Sequence, residues 1–158
     1  MPNVSQLVDR GTSELRKGRF SGINQIYHIV SCTDGYARYL ETFWAARIVI
    51  RAMRREDDAG HTDTLAFVVM PDHMHWLFQL RGTRTLAVCV NTMKSFATRR
   101  INRLMGRSGR LWQKGFYDRA IRREEDLLDV ARYIVANPLR AGLVKSLRDF
   151  PHWDAKWV

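Results

Sequence analysis

Residues 65–80 read Leu-Ala-Phe-Val-Val-Met-Pro-Asp-His-Met-His-Trp-Leu-Phe-Gln-Leu. Two apolar runs flank Pro71-Asp72, a pair typical of a turn, so the segment predicts two strands joined there, the second beginning at His73. Side chains alternate between the faces of a strand, which places His73 and His75 on one face and Met74 on the other. We expect the two neighbouring imidazoles to be close enough to share one metal ion.

The hydrophobic periodicity of the remaining chain extends this hairpin into a complete fold. Runs of β-branched and aromatic residues predict strands, and apolar residues spaced three and four apart predict helices. The predicted strands are residues 25–32, 65–70, 73–80 and 111–121, and the predicted helices are residues 41–55, 86–104 and 124–134. The order β-α-β-β-α-β is that of the split-βαβ, ferredoxin-like arrangement. We therefore expect an α+β fold with an antiparallel sheet, helices on one face and an appended C-terminal helix that carries Tyr133.

Length and composition predict a single domain over residues 1–158, with an N-terminal arm at 1–21 and a C-terminal tail at 145–158 that packs back on the domain. Hydrophobic residues make up 46% of the chain and charged residues 27%, as in ordinary globular proteins. The sequence has no apolar stretch of about 20 residues and no secretion signal at its start. Cys32 and Cys89 lack metal-type spacing, and we interpret them as reduced thiols of a cytoplasmic protein.

Positive charge is concentrated in one segment of the chain. The net charge is +10, and residues 94–123 contain ten basic residues and one acidic residue, Asp118. This concentration indicates a polyanionic partner, and nucleic acid is favoured because no amphipathic membrane-anchor helix stands out. Spacing by four predicts that Arg99, Arg103 and Arg107 line one helix face. The predicted DNA contacts are Lys94, Arg99, Arg100, Arg103, Arg107, Arg110, Lys114, Arg119, Arg122, Arg123 and Arg140, with Trp112, Phe116 and Tyr117 as surfaces for stacking unpaired bases.

Tyr133 and Asn137 are the second group of candidate site residues. They lie four residues apart on the last predicted helix and share a face if that helix continues to Asn137. A tyrosine hydroxyl attacks phosphorus when a cation polarises the phosphate, and an amide oxygen suits a third ligand beside two imidazoles. The residues alone leave a structural interpretation open. The strand histidines would then be simply hydrogen-bonded, Tyr133 would pack against the core, and Asn137 would be selected for the turn before Pro138.

Three blocks of the sequence carry a family resemblance. Residues 71–78 (P-D-H-M-H-W-L-F) contain a His-hydrophobic-His motif, and residues 133–144 read Y-I-V-A-N-P-L-R-A-G-L-V. Together with residues 111–122 between them, and with Tyr27-His28 in the first predicted strand, they resemble REP-associated tyrosine transposases. These are relatives of the small single-tyrosine transposases of bacterial insertion sequences, and their histidine motif is called HUH. The resemblance covers residues 23–153.

The resemblance implies a metal-dependent single-strand DNA endonuclease and strand-transferase that acts on hairpin-forming repeat DNA. It implies Tyr133 as the nucleophile, which forms a 5′-phosphotyrosine link and releases a 3′-OH. It also implies His73, His75 and Asn137 as ligands of a divalent cation, Mg²⁺ or Mn²⁺. The implied partner is single-stranded or hairpin DNA at the bacterial nucleoid, in the cytoplasm, with no membrane and no small-molecule substrate, and the implied active unit is a monomer or a homodimer.

Two other functions stay open at the level of sequence. One is a non-catalytic nucleic-acid-binding module with an RNA-recognition-like fold, and the other is a metal-dependent hydrolase that uses activated water. Tyr117 is a rival nucleophile in an aromatic and basic segment, ranked below Tyr133 because no ligand-type residue stands near it. We expect His28 to be structural or to support the histidine pair. Val135 stands where the relatives often have a polar residue, so any chemical help from that position is missing here.

Overall fold

The computed structural model describes residue 22 and residues 24–157, and the predicted arm at 1–21 lies outside the described residues. The strands are β1 (Ile26–Cys32), β2 (Thr62–Val69), β3 (His73–Leu80), β4 (Tyr117–Ile121) and β5 (Trp153–Ala155). The helices are α1 (Phe43–Asp58), α2 (Leu86–Met105), α3 (Glu124–Val135) and the single turn α4 (Asn137–Arg140). Every helix in the described part of the chain is too short or too polar to cross a membrane.

The strands form one antiparallel sheet in the order β4-β1-β3-β2-β5. The first four strands follow the ferredoxin-like order, so the predicted α+β fold is confirmed. The strand β3 begins at His73, as predicted, after a turn in which Met70 N donates to His73 O at 2.8 Å. Leu40 N donates to Pro71 O at 2.9 Å, so the turn is also held from outside the hairpin.

The two faces of the sheet are covered by different helices. On one face, Tyr27, Met74 and Trp76 pack against α1 and α2 in the larger apolar cluster. On the opposite face, Ala131 and Ile134 of α3 pack in a second cluster. The appended helix is therefore separated by the sheet from the two helices that precede it.

Capping residues fix the bounds of the two long helices. The Thr42 hydroxyl accepts a hydrogen bond from Ala45 N, so α1 begins two residues later than the predicted residue 41. The Thr85 hydroxyl caps α2 in the same way. The helix α2 ends at Met105 and is capped by Gly106, whose φ of 62° is a left-handed conformation that glycine adopts without steric cost.

Two elements differ from the prediction. The fourth strand is shorter than residues 111–121, because Trp112 forms only an isolated bridge with Thr33 and regular pairing begins at Tyr117. The tail contains an unpredicted strand, β5, whose Ala155 pairs with Ala66 at the edge of the sheet. A three-residue strand carries almost no periodic signal and forms through pairing with a distant strand. The expectation that the tail packs back on the fold is confirmed.

Candidate active site

His73 and His75 lie on the face of the sheet that α3 covers, as the strand alternation predicts. His75 is paired with Val30 of β1 and with Val68 of β2, so it stands in the middle of the sheet. It is fully buried, while His73 at the start of the strand is partly exposed. The centroids of the two imidazole rings are 5.2 Å apart.

Each histidine of the pair uses one ring nitrogen and leaves the other without a partner. His73 Nδ1 lies 2.7 Å from Asp72 Oδ1, and His75 Nδ1 lies 2.9 Å from His28 Nε2. The Nε2 atoms of His73 and His75 are buried, and neither finds a hydrogen-bond partner among the described residues. Burying two neighbouring nitrogens without hydrogen-bond partners costs folding free energy. A metal ion bound by both nitrogens would offset that cost.

The electrostatics keep the buried imidazoles uncharged. Burial lowers the pKa of His75 well below its usual range, and the neighbouring His28, His73 and Arg140 side chains lower it further. Burial and the charge of Arg119 lower the pKa of His28 to about 4. The hydrogen bond with His73 holds the pKa of Asp72 below its usual value. Neutral imidazole is the form that binds metals.

Tyr133 lies beside this pair in the same chain. The centroid of its ring is 6.1 Å from that of His75, edge to face, and the side chain is half-buried. The Arg140 guanidinium lies 4.0 Å from the centre of the Tyr133 ring. The structure therefore brings Tyr133 and the positively charged Arg140 side chain to the side of the sheet where the Nε2 atoms of His73 and His75 lack partners among the described residues.

Asn137 closes the end of α3. Its Nδ2 donates to Ile134 O at 3.0 Å and to Tyr133 O at 3.3 Å. Pro138 has no N–H, so without this contact the Ile134 carbonyl would lack the donor that a helix normally supplies. The expected disturbance before Pro138 is present as the break between α3 and α4. The contacts engage the amide nitrogen and leave the oxygen of this buried side chain for another partner.

The two histidines fit a divalent cation if a residue of another type provides a third ligand. Within the described part of the chain, no three His, Cys, Asp or Glu side chains come together as a metal site. The Nε2 atoms of His73 and His75, which have no hydrogen-bond partner among the described residues, could supply two ligands. A third protein ligand must therefore be of another type, which is the role predicted for the Asn137 amide oxygen.

Tyr117, the rival nucleophile, also reaches this face. It pairs with Val30 in the sheet, and its ring meets the His28 ring edge to face at 6.3 Å between centroids. Burial raises the pKa of Tyr117, which disfavours the phenolate.

Val135 is buried in the apolar cluster, so no polar side chain occupies that position. Sequence reasoning missed the contact from Asp72, although an acid directly before a candidate ligand histidine is a usable signal.

The basic segment, contiguous in sequence, is divided among three surfaces of the fold. The first is a groove of about 470 Å³ between α2 and the loop 110–115, with Arg99, Arg110 and Lys114 on its rim. Gln113 N in this loop donates to Cys32 O, and Cys32 pairs with His73. The groove, which we call the basic groove, therefore opens at the end of the sheet where His73 lies.

Two predicted DNA contacts are core residues in the floor of the basic groove. Lys94 is 8% exposed, and its Nζ donates to Gly115 O at 2.7 Å and to Gln113 O at 3.1 Å. Trp112 is 4% exposed, and its Nε1 donates to Lys94 O. The burial of Lys94 and Trp112 disfavours them as direct DNA contacts, and their hydrogen bonds indicate that both fix the loop. Phe116 is also buried, so it offers no surface for base stacking.

The second surface lies on the outer side of the helix layer. Arg100 and Arg103 line a groove of about 340 Å³ together with Arg51 of α1. Arg107 does not continue their helix, which ends at Met105. Its guanidinium lies 4.2 Å from the centre of the Tyr39 ring and donates to Arg110 O, so the predicted Arg99-Arg103-Arg107 stripe is wrong at its last member.

The third surface is on the histidine side of the sheet. Arg119 of β4 is exposed and acts on the pKa of His28. Arg122 and Arg123 are exposed just before α3, and Arg140 lies on the Tyr133 ring. Of the predicted DNA contacts on this side, Arg119 and Arg140 are the ones placed near the histidines. Arg122 and Arg123 follow Ile121, which pairs with Ile26 at the end of the sheet opposite to His73.

Lys94→Met is expected to lower the free energy of unfolding by about 2 kcal/mol, because the carbonyls of Gln113 and Gly115 lose charge-assisted donors. The loss should depend on pH. Burial lowers the pKa of Lys94 from 10.5 to about 8, so between these values the unfolded chain binds more protons than the folded one. The stability of the unsubstituted protein relative to Lys94→Met therefore rises with pH through this window.

Urea unfolding of both proteins at pH 7 and pH 10 measures this difference. Equal stability of the two proteins at both values would contradict a structural role for Lys94.

Comparison with known families supplies an independent finding. Residues 22–137 match the family described as "Transposase IS200 like". A putative REP-associated tyrosine transposase of Haemophilus influenzae is 31% identical over 100 residues, covering 57% of this chain and 57% of that protein. The REP-associated tyrosine transposase of Escherichia coli K12 is 31% identical over 87 residues, covering 54% and 50%. The chain thus spans about half the length of the curated relatives it matches.

Solved structures confirm the fold. The structure of a REP-associated tyrosine transposase bound to a REP hairpin is similar with a TM-score of 0.71 and 22% identity, covering 85% of this chain and 79% of that one. A putative transposase from Deinococcus radiodurans R1 is similar with a TM-score of 0.54 and 21% identity, covering 75% and 95%. At these identities the likeness concerns the architecture: a five-stranded antiparallel α+β sheet.

Proposed function

The chain belongs to the IS200-like transposase family, and from that membership we propose that it cuts and rejoins single-stranded DNA through a covalent link to Tyr133. The observation that carries the proposal is the position of Tyr133 beside His75, whose buried Nε2 has no partner among the described residues. A nucleophile and two nitrogens able to bind a metal, all on one face of the sheet, fit metal-assisted phosphoryl transfer.

The proposed step exchanges one phosphodiester bond for another. The Tyr133 oxygen attacks the phosphorus and loses its proton, a P–O bond to Tyr133 forms, and the P–O3′ bond breaks. The departing 3′ oxygen takes up a proton and becomes a free 3′-OH, while the 5′ phosphate stays on the protein. Because the new bond keeps the energy of the broken one, a second 3′-OH reverses the step and joins strands.

We assign the metal to His73, His75 and Asn137. Mg²⁺ or Mn²⁺ bound there would polarise a phosphate oxygen and stabilise the negative charge that develops during attack. The protein's own contribution is to fix these donors: Asp72 holds the His73 ring, and Asn137, the first residue of α4, is tied to the end of α3 through the Tyr133 and Ile134 carbonyls. Arg140, at the Tyr133 ring, supplies positive charge beside the nucleophile.

The DNA is proposed to run along the end of the sheet from the tyrosine to the basic groove. Arg99, Arg110 and Lys114 on the groove rim contact backbone phosphates, which position DNA without reading its sequence. The solved relative binds a REP hairpin, and we propose hairpin-forming repeat DNA as the substrate class here. Tyr133 approaches His75 within one chain, which supports a site formed by a monomer, and a homodimer is the alternative. We accordingly propose the bacterial cytoplasm as the location where the protein acts.

Arg99→Ala should weaken DNA binding and reduce the slope of log affinity against log salt by about one, because one phosphate contact is lost. Arg103→Ala is the matched control. It removes the same charge from the next turn of α2, but on the outer groove beside Arg51. Fluorescence anisotropy with a labelled hairpin over a series of salt concentrations measures both slopes. Equal slopes in the two variants would contradict the proposed DNA path.

Labelled hairpin DNA tests the proposed function as a whole. The protein is incubated with 3′-labelled single-stranded hairpin DNA and Mn²⁺ and then denatured. We expect the label to remain on the protein and the released fragment to carry an extendable 3′-OH. Cleavage with no retained label would favour a hydrolase that uses activated water. Binding without cleavage under Mg²⁺ and Mn²⁺ would favour a non-catalytic module.

A further inference from the structure

A second histidine contact lies behind the proposed metal site. His28 of β1 and His75 of β3 are 2% and 0% exposed, and their ring planes are 19° apart with centroids 5.1 Å apart, so the two rings meet edge to edge. The closest ring atoms are His28 Nε2 and His75 Nδ1, at 2.9 Å. A contact of this length is a hydrogen bond, so one nitrogen carries a proton and the other accepts it.

The direction of this hydrogen bond decides whether His75 can bind a cation. A neutral imidazole carries one proton, on either Nδ1 or Nε2. If the proton is on Nδ1, it is donated to His28 Nε2, and His75 Nε2 keeps the lone pair that a metal needs. If the proton is on Nε2, that buried nitrogen cannot act as a ligand and has no acceptor among the described residues.

We propose that His28 is a positioning residue that holds His75 in the Nδ1–H form and so directs the lone pair of His75 Nε2 to the cation. This inference rests on the proposed function. The two proposed ligands are held in the same way. His73 Nδ1 forms a hydrogen bond with Asp72, and His75 Nδ1 forms one with His28, so in both rings the Nε2 atom is left for the cation. Partners of this kind fix the ring orientation and the position of the proton in metal-binding histidines.

There is also a physical reason why a neutral histidine, rather than a carboxylate, accepts the hydrogen bond from His75 Nδ1. His75 is fully buried, and Asp72 already places a carboxylate beside the other ligand. A second carboxylate at position 28 would add a buried negative charge close to the place where the scissile phosphate must bind, and like charges repel strongly at low dielectric. The His28 imidazole accepts the hydrogen bond without adding that charge.

Two substitutions separate this role from packing. His28→Gln keeps a side-chain acceptor that reaches the position of Nε2, whereas His28→Leu keeps the bulk and removes the acceptor. The matched control is His61→Leu, which removes a histidine outside the site. Two measurements without DNA are made on each protein: Mn²⁺ affinity by calorimetry, and the imidazole tautomers in the metal-free state by long-range ¹H–¹⁵N NMR.

We expect the unsubstituted protein to bind Mn²⁺ and to show His75 in the Nδ1–H form. His28→Leu should lower Mn²⁺ affinity by about 10- to 100-fold and shift His75 toward the Nε2–H form, while His28→Gln should stay close to the unsubstituted protein. Finding His75 as Nε2–H in the unsubstituted protein would overturn the proposal without any variant, even if His28→Leu does not fold. Unchanged Mn²⁺ affinity in a folded His28→Leu would also overturn it. Failure of the unsubstituted protein to bind Mn²⁺ would instead reject the proposed metal site itself.

Discussion

Tyr133→Phe is expected to reduce the rate of hairpin cleavage by at least about 10⁴-fold and to abolish covalent capture of DNA, because the substitution removes only the attacking oxygen. The ring and its contacts with His75 and Arg140 are retained, so DNA affinity and stability should stay close to those of the unsubstituted protein. Single-turnover cleavage at saturating Mn²⁺ measures the rate, and a denaturing gel measures the covalent complex.

Tyr117→Phe is the matched control for this prediction. It makes the same change on the same face of the sheet, where Tyr117 contacts His28 rather than His75. We expect Tyr117→Phe to retain covalent capture. Capture that survives Tyr133→Phe and disappears in Tyr117→Phe would move the nucleophile from α3 to β4.

His75→Leu is expected to lower the metal-dependent cleavage rate by at least about 100-fold, because it removes one of the two imidazole ligands and leaves the buried volume filled. The salt dependence of DNA binding should not change, since the proposed phosphate contacts lie in the basic groove. Cleavage is measured against Mn²⁺ concentration, and binding by anisotropy in the absence of metal.

His152→Leu is the control for burying leucine in place of histidine. His152 is also buried, but its ring contacts Phe43 and Phe150 rather than the histidine pair. It should lose stability without losing metal-dependent cleavage. If His75→Leu cleaved DNA as well as His152→Leu, the assignment of His75 as a ligand would be wrong.

Much of the fold was predictable because its signals are local. The run of residues 65–80 sets two strands, a turn and the faces of His73 and His75 without reference to any distant residue. The bounds of α2 follow from a Thr cap and a closing glycine. The strand β5 was not predictable, since its three residues are ordered by pairing with β2, more than eighty residues earlier in the chain.

The basic segment shows where reasoning from charge fails. Lys94 stands between Val90 and Ala97 on the buried side of α2, at a spacing of four and three that belongs to the core stripe. That spacing, rather than its charge, was the usable signal for its buried role. Arg99 and Arg103 are one turn apart on α2, yet they line different grooves, because the packing of α1 and of the loop 110–115 decides what each one faces.

The sequence was sufficient to predict which residues form the candidate site. It was not sufficient to predict how close their side chains lie to one another. Tyr133 and Asn137 could be paired by their spacing, but the approach of Tyr133 to His75 depends on how α3 packs across the sheet. The contact of His28 with His75 likewise depends on strand register, which pairs β1 with β3 over their full length. Neither relation has a local signature in the sequence.

Identifying the residue that carries the DNA tests the central claim most directly. The covalent complex formed with Mn²⁺ is digested with nuclease and trypsin, and the peptide that bears a nucleotide is sequenced by mass spectrometry. Trypsin releases residues 133–140, Tyr-Ile-Val-Ala-Asn-Pro-Leu-Arg, in which tyrosine is the one hydroxyl-bearing side chain. We predict a 5′-nucleotide on Tyr133 in this peptide. A nucleotide on residues 115–119, which contain Tyr117, or cleaved DNA with residues 133–140 unmodified, would contradict the account.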